Sequence, residues 1–319
     1  MIRKKDFLQK KIVIVYSVEE IEKQLTLSNE NVLVLNPNTV KAEKTKFSLH
    51  NSFVFFVIGD ITFTTKLIKR MKTLGVSMFF LNYNFSHKFS ILSYADGNYL
   101  LKSRQYKSSE LDNLEIAKKI IKNKVENQML ALKKGGVILN GNLNKIEELN
   151  NSYELLAYEG NIASKYFENI FYSLSWYRRT PRAKEDEINL LMDIGYTYLF
   201  NYIDALVSLF GFDTYVGVFH KFFYQRKSLI CDLVEPFRVI IDYEIVKNFN
   251  LKAFKKEDFA HDRGVYRFKS FEVSKKYSNA FADSIRENGE EIYLYIYGYY
   301  RCFSGATNTF PYYKFNKRK

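Results

Sequence analysis

Asp232, Glu235 and Asp242 stand inside the otherwise apolar stretch Arg226–Asp242, RKSLICDLVEPFRVIID. Acids set among hydrophobic residues are candidates for chemistry, because burial and neighbouring charge shift their proton affinity. On a helical wheel Leu229, Ile230, Leu233, Phe237, Ile240 and Ile241 share one side, whereas Asp232, Glu235, Val239 and Asp242 share the other. Asp232 and Glu235, three residues apart on that face, can converge on a cation or a proton. Pro236 has no N–H to offer the carbonyl of Asp232, and it disfavours helical geometry at Glu235. The segment is therefore kinked, or a new helix starts at Pro236, and backbone is opened beside the acids. The plain alternative is that these acids cap a helix or pair with Arg226 and Arg238 on a solvated face.

Other candidates are scattered upstream. Glu159-Gly160 falls within a predicted helix, Tyr153–Leu174. Glycine costs a helix roughly 1 kcal/mol relative to alanine, and a small residue beside an acid lets something approach closely. Arg178, Arg179 and Arg182 follow Trp176 and Tyr177, a mixture suited to a phosphate backbone; a charge-balanced solvated loop is the other reading. His220 lies fifteen residues before Glu235 in an aromatic stretch, where a lone histidine is usually a satisfied core residue. Asp60, His50 and His87 are isolated, and His261-Asp262 sits in a polar turn, so these read as surface groups.

The elements that must position these residues form an α+β chain. IVIVY at 12–16, VLVLN at 32–36, FVFFVIGD at 53–60 and VSMFFLNYN at 76–84 read as strands. Helical spacing runs from Thr62 to Leu74, and Asp96-Gly97-Asn98 marks a turn. Residues 1–102 thus form a small β-rich domain. Ser103–Ser109, polar and basic, reads as a linker. Residues 110–319 read as a larger, all-α domain, with helices over Leu111–Leu132 (lysines on its outer face), from about Ile146 through Leu155, over Tyr153–Leu174, over Ile188–Phe210 up to Gly211, and over Ser278–Tyr300. The segment Phe259–Tyr277 is mixed, and the tail beyond Tyr300 reads as a frayed or partner-bound end.

Composition narrows the function. Forty-seven per cent hydrophobic and 17% aromatic residues in 319 argue for a folded chain with a large core. A net charge of +13 favours a polyanion, nucleic acid before membrane, since no apolar run approaches the ~20 residues of a spanning helix. Cys231 and Cys302 make neither a disulfide framework nor a zinc pattern. The basic start MIRKKDFLQKK leads into a short strand instead of a signal-peptide core. A soluble, cytoplasmic protein is expected.

Together these residues resemble the CRISPR-associated protein one family, the integrase of CRISPR adaptation. The resemblance is carried by Glu159-Gly160 with Ala163 and Tyr166-Phe167; by Arg179, Pro181, Asp186, Asn189 and Gly195-Tyr196; by Gly211, Asp213, Gly217 and His220; and by Asp232-Leu233-Val234-Glu235-Pro236-Phe237-Arg238 with Asp242. GDITFTTKLIKRMKTLGVSMFFLN at 59–82 looks like the family's strand–helix–strand passage, and Lys255–Phe259 with Gly264–Tyr266 like its later linker region. Glu235 stands where many members carry aspartate, and Thr214 and Arg182 stand where proline is common.

The resemblance implies phosphoryl transfer on DNA. Glu159, His220 and Glu235 become ligands of a divalent metal, with Asp232 supporting the same site directly or through water. Mixed oxygen and nitrogen ligation suits Mg2+ or Mn2+. The 3′-hydroxyl of a short DNA fragment would attack a repeat-end phosphodiester, twice, with Arg178, Arg179, Arg182 and Arg238 as DNA contacts. Two attacks call for two sites and hence a homodimer, built by the β-rich domain and bridged by CRISPR-associated protein two. A structure-selective DNA nuclease without an integration role uses the same ligands, and a basic nucleic-acid-binding scaffold would need none of them.

Overall fold

Side-chain alternation in the amino-terminal strands sets the architecture, seen in a computed structural model that describes residues 7, 9–17, 23–35, 45–95, 97–139, 141–220 and 226–316. The uninterrupted apolar run FVFFVI demands cover on both faces, and every residue of β5 (Ser52–Ile58) is buried. β5 lies inside a four-stranded sheet ordered β1 (Lys11–Tyr16), β5, β7 (Ser77–Leu81), β8 (His87–Ile91); β1, β5 and β7 are parallel and β8 is antiparallel. A period of two divides the side chains between the faces. Val13, Val15, Phe55, Val57, Met78 and Phe80 form one core with a second sheet and with Leu67 and Met71 of α1 (Thr65–Thr73). That second sheet is ordered β4 (Thr45–Ser48), β3 (Asn31–Leu35), β2 (Lys23–Ser28), β6 (Ile61–Phe63). Tyr16, Val54, Phe56, Ile58, Phe79 and Leu81 join the other core, which continues through the helices.

The helical part comprises α2 (Tyr99–Lys107), α3 (Glu110–Lys134), a single turn Lys145–Glu148, α4 (Ser152–Ile170), α5 (Glu187–Phe210), α6 (Ser228–Val234), α7 (Arg238–Asn250), α8 (Phe271–Glu287) and α9 (Gly289–Phe303). Helix α5, buried almost all round, fastens the two parts together: Tyr198 meets Phe56 edge-on at 4.6 Å and Tyr202 meets Phe53 at 5.3 Å. Helix α7 crosses α5 at Gly195, where a Cβ would lie 2.4 Å from Ile241 Cγ2. Only glycine permits that approach.

The strands and long helices fall close to their predicted places, and the segment with Pro236 is broken as expected: a 3-10 turn, Glu235–Phe237, separates α6 from α7. Elsewhere the structure differs. The polar run 103–107 ends α2, whose Gln105 is tied to the backbone N–H and carbonyl of Asp213; a tertiary anchor overrides the linker-like composition. Ile61–Phe63, read as a helix start, pairs with β2 instead. The helix expected through Leu155 is one turn long, because Asn151 caps a new start, accepting from Glu154 N at 3.0 Å. Phe259–Asp262 (β9) and Val265–Phe268 (β10) form an antiparallel hairpin before α8. Asp96 and Lys317–Lys319 lie outside the described residues.

The tail beyond Tyr300 is docked, not frayed. Asn123 of α3 donates to the Tyr313 carbonyl at 2.7 Å and accepts its N–H at 3.0 Å, while Asn127, one turn on, accepts the Phe315 N–H at 2.8 Å. Two side-chain amides thus replace a strand partner for a buried tail. Phe315, 2% exposed, fills the core against Tyr243. Phe315→Ala is expected to cost about 3–5 kcal/mol of unfolding free energy in urea denaturation; wild-type stability would show that the tail contributes no packing.

Candidate active site

Helix α3 supplies the centre of the site, from a residue that sequence reading put on the outer face. Lys124 follows Ala117 and Ile120 and precedes Asn127 and Ala131 at spacings of three and four, so it shares their face. That face is buried. The Lys124 ammonium contacts Glu159 Oε1 of α4 and lies 2.5 Å from Glu235 Oε2. The periodicity was available to find it; the prior that a lysine is solvated hid it.

Glu235 reaches the ammonium because Pro236 breaks the helix there. The Pro236 carbonyl accepts from Asn127 Nδ2 at 3.2 Å, so the amide that binds the tail also holds the break. Arg238 donates to Glu235 Oε1 at 3.0 Å and lies over the Tyr196 ring, 4.6 Å from its centroid. Burial alone would raise the Glu235 carboxyl, but the charges of Arg238 and Lys124 outweigh it and hold the group down at about 2. The reading of these acids on a solvated face is therefore excluded, although the pairing of Glu235 with Arg238 is real.

Asp232 faces elsewhere. Its Oδ2 accepts the N–H groups of Val218 at 2.7 Å and Phe219 at 3.2 Å; its Oδ1 accepts the His220 N–H at 2.9 Å and contacts His220 Nδ1 at 2.6 Å. With Nδ1 tied to the acid, Nε2 is the ring nitrogen not engaged by Asp232. Gly217 allows the loop onto the acid: a Cβ there would sit 2.7 Å from Asp232 Oδ2. Asp232 thus orients His220 and leaves no oxygen turned toward Glu159 and Glu235.

Two carboxylates from different helices and an imidazole oriented by Asp232 are a donor set suited to Mg2+ or Mn2+. The ammonium between the carboxylates acts as a stand-in cation. Among the described residues no three His, Cys, Asp or Glu side chains stand together as a ready metal site.

The arginines divide. Arg178 is exposed, beside Tyr177 and 3.6 Å from Glu185. Arg182 is exposed as well, and its φ of +67° is one that proline cannot adopt, which accounts for the residue found there. Arg179 is spent internally, donating to Asn189 Oδ1 at 2.9 Å and Asp193 Oδ1 at 2.6 Å. Asn189 also takes the Thr180 N–H and donates to Asp186 and the Arg178 carbonyl, so the Asp186–Asn189 motif stitches the loop to the start of α5. Gly160 is open, with no atom within 4 Å of a Cβ placed there.

Asp242 lies behind the site, accepting from the hydroxyls of Tyr166 and Tyr196. Burial pushes its carboxyl from 3.8 up to about 6, against the pull of these hydroxyls and of Arg238. The folded chain binds this proton more tightly than the unfolded chain, so the associated stabilisation is full below about pH 4 and is lost as pH rises through about 6. Asp242→Asn should remove that loss. In urea denaturation across pH, wild type should fall relative to the variant between about pH 4 and 6 and run parallel to it above about 7. Parallel curves throughout would mean that Asp242 titrates as in the unfolded chain.

A sequence profile described as CRISPR associated protein Cas1 matches residues 16–283. The CRISPR-associated endonuclease Cas1 1 of Thermodesulfovibrio yellowstonii is 31% identical over 233 residues, covering 66% of this chain and 73% of its own. Among solved structures, a casposase bound to integration product superposes with a TM-score of 0.81 at 19% identity, over 97% of this chain and 96% of that one. A Cas1 protein from Thermotoga maritima gives 0.80 at 18% identity, over 97% and 100%. The two-sheet amino-terminal region followed by helices is the fold they share. The chain belongs to the CRISPR-associated protein Cas1 family.

Proposed function

We propose that this chain is a metal-dependent DNA integrase and endonuclease of CRISPR adaptation. The observation that carries this reading is the convergence of Glu159 and Glu235 on one buried cation position, beside a histidine whose Nδ1 is tied to Asp232. Glu159, His220 and Glu235 would hold Mg2+ or Mn2+. The bound ion supplies Lewis-acid neutralisation of the scissile phosphate and activation of the attacking hydroxyl. The 3′-hydroxyl of a short DNA fragment displaces the 3′-oxygen of the repeat strand: one P–O bond forms, one breaks, and no cofactor is consumed.

The chain's own residues place the substrate. Arg178 and Arg182 are exposed for phosphate contact, which positions the duplex without reading sequence. Arg179 would have to leave Asn189 and Asp193 to do the same, and Arg238 would have to leave Glu235. The open backbone at Gly160 lets DNA approach Glu159. A second copy of the chain and the small companion Cas2 complete the assembly, by the family resemblance. Among the described residues no helix is long and apolar enough to cross a membrane. The endonuclease name of the relative favours hydrolysis as a second outcome at the same site, with water in place of the 3′-hydroxyl.

The test is an integration assay with purified protein, Mn2+ or Mg2+, a short duplex with free 3′-hydroxyls and a plasmid carrying a repeat array, run with and without Cas2. Fragment–plasmid joints are expected from wild type and are expected to vanish with EDTA or with Glu159→Ala, His220→Ala or Glu235→Ala. Cleavage without joining would favour the nuclease. DNA binding in EDTA with no metal-dependent product would favour a scaffold.

A further inference from the structure

We propose that Lys124 is a tethered counter-ion which holds the Glu159–Glu235 seat until a divalent cation takes it, so that lysine and metal compete for the same oxygen atoms. The proposal rests on the reading that this seat takes Mg2+ or Mn2+, and it adds the residue that controls access.

The three side chains are 9% (Lys124), 16% (Glu159) and 6% (Glu235) exposed. Two carboxylates drawn to one buried point repel each other and lose their hydration, and a cation between them offsets both costs. Arg238 does not fill that role. It pairs with Oε1 of Glu235, whereas Lys124 addresses Oε2, an atom with no aligned hydrogen bond of its own. A divalent ion bound through these oxygens would place two positive charges at contact distance from the ammonium, in a medium that screens poorly. Both cannot sit there. Lysine, a point charge on a flexible four-carbon stem, is the cation able to leave without disturbing the backbone. An arginine fork on two carboxylates would be harder to displace.

Competition of this kind is a negative coupling between two ligands of one site, and it is reciprocal: removing the lysine favours the metal as much as the metal disfavours the lysine. Full-length wild type and Lys124→Met are titrated with Mn2+ without DNA, following the paramagnetic resonance signal of free Mn2+, and melted with and without Mn2+. The methionine keeps the bulk and drops the charge. The variant is expected to bind Mn2+ about tenfold more tightly or better, to melt below wild type without metal, and to regain more on adding it. Equal or weaker Mn2+ affinity in the variant, with wild type binding, overturns the lysine's role and leaves the metal site standing. No Mn2+ binding by either protein overturns the metal reading and this proposal with it.

A second measurement needs no variant. Reductive methylation of wild type, read at Lys124 by peptide mass spectrometry, should rise on adding Mn2+ as the ammonium is released. Unchanged or reduced labelling overturns the proposal.

Discussion

Keeping buried carboxylates charged is the constraint on which the rest of this structure depends. Glu159 and Glu235 come from different helices, and two carboxylates brought to one buried point repel each other unless positive charge lies close by. Lys124 supplies it from α3 and Arg238 supplies it from the residue after the 3-10 turn. Helix α3 is accordingly the hub. One buried face carries Asn123, which grips the tail, Lys124, which bridges the acids, and Asn127, which takes both the tail and the carbonyl of Pro236. Displacing α3 by one residue would break all three connections at once, so the site, the helix break and the carboxyl-terminal segment share one register.

The neighbouring acids divide the work by what surrounds them. Asp232 and Glu235 lie one helical turn apart, yet they serve different ends. Asp232, fully buried, is held by three amides and an imidazole, and so it shapes the loop Gly217–His220. Glu235 keeps an oxygen for the site because Pro236 ends the regular helix beneath it. Asp242 sits further back, where burial pushes its carboxyl up to about 6 against the pull of the Tyr196 and Tyr166 hydroxyls and of Arg238. Three acids on one predicted stripe thus occupy three electrostatic settings, and only Glu235 reaches the lysine shared with Glu159.

Much of this was legible beforehand, and the omissions have definite causes. Uninterrupted β-branched and aromatic runs revealed the strands, and Pro236 revealed the break, because both follow from local backbone chemistry. Glu159, His220 and Glu235 could be named together only through their resemblance to a family, since spacing along a chain carries no information about convergence from three separate elements. Lys124 was missed although its spacing places it among Ala117, Ile120 and Ala131; a general preference for solvated lysines outweighed a specific period. Arg179 was read as a phosphate contact because composition cannot reveal that Asn189 and Asp193 consume its donors. The tail was read as frayed or partner-bound because its docking on the chain itself relies on two asparagines about 190 residues earlier.

The local charge balance bears on how a basic protein handles its own acids. The chain carries +13 overall, a field that draws in a polyanion from a distance. At the site that advantage disappears: Lys124 and Arg238 cancel Glu159 and Glu235, and a phosphodiester meets local neutrality. Further positive charge is needed where the phosphate is to be attacked, because the transition state gathers negative charge on its oxygens. On the reading proposed above, exchanging a singly charged ammonium for a doubly charged ion on the same two carboxylates would supply that charge without adding a new ligand. The lysine-bridged state would keep the buried acids folded in the absence of substrate, and the exchanged state would be the one complementary to DNA. On that reading folding and catalysis place opposite demands on the same pair of acids, and a lysine on a flexible stem would be a physical means of meeting both in turn.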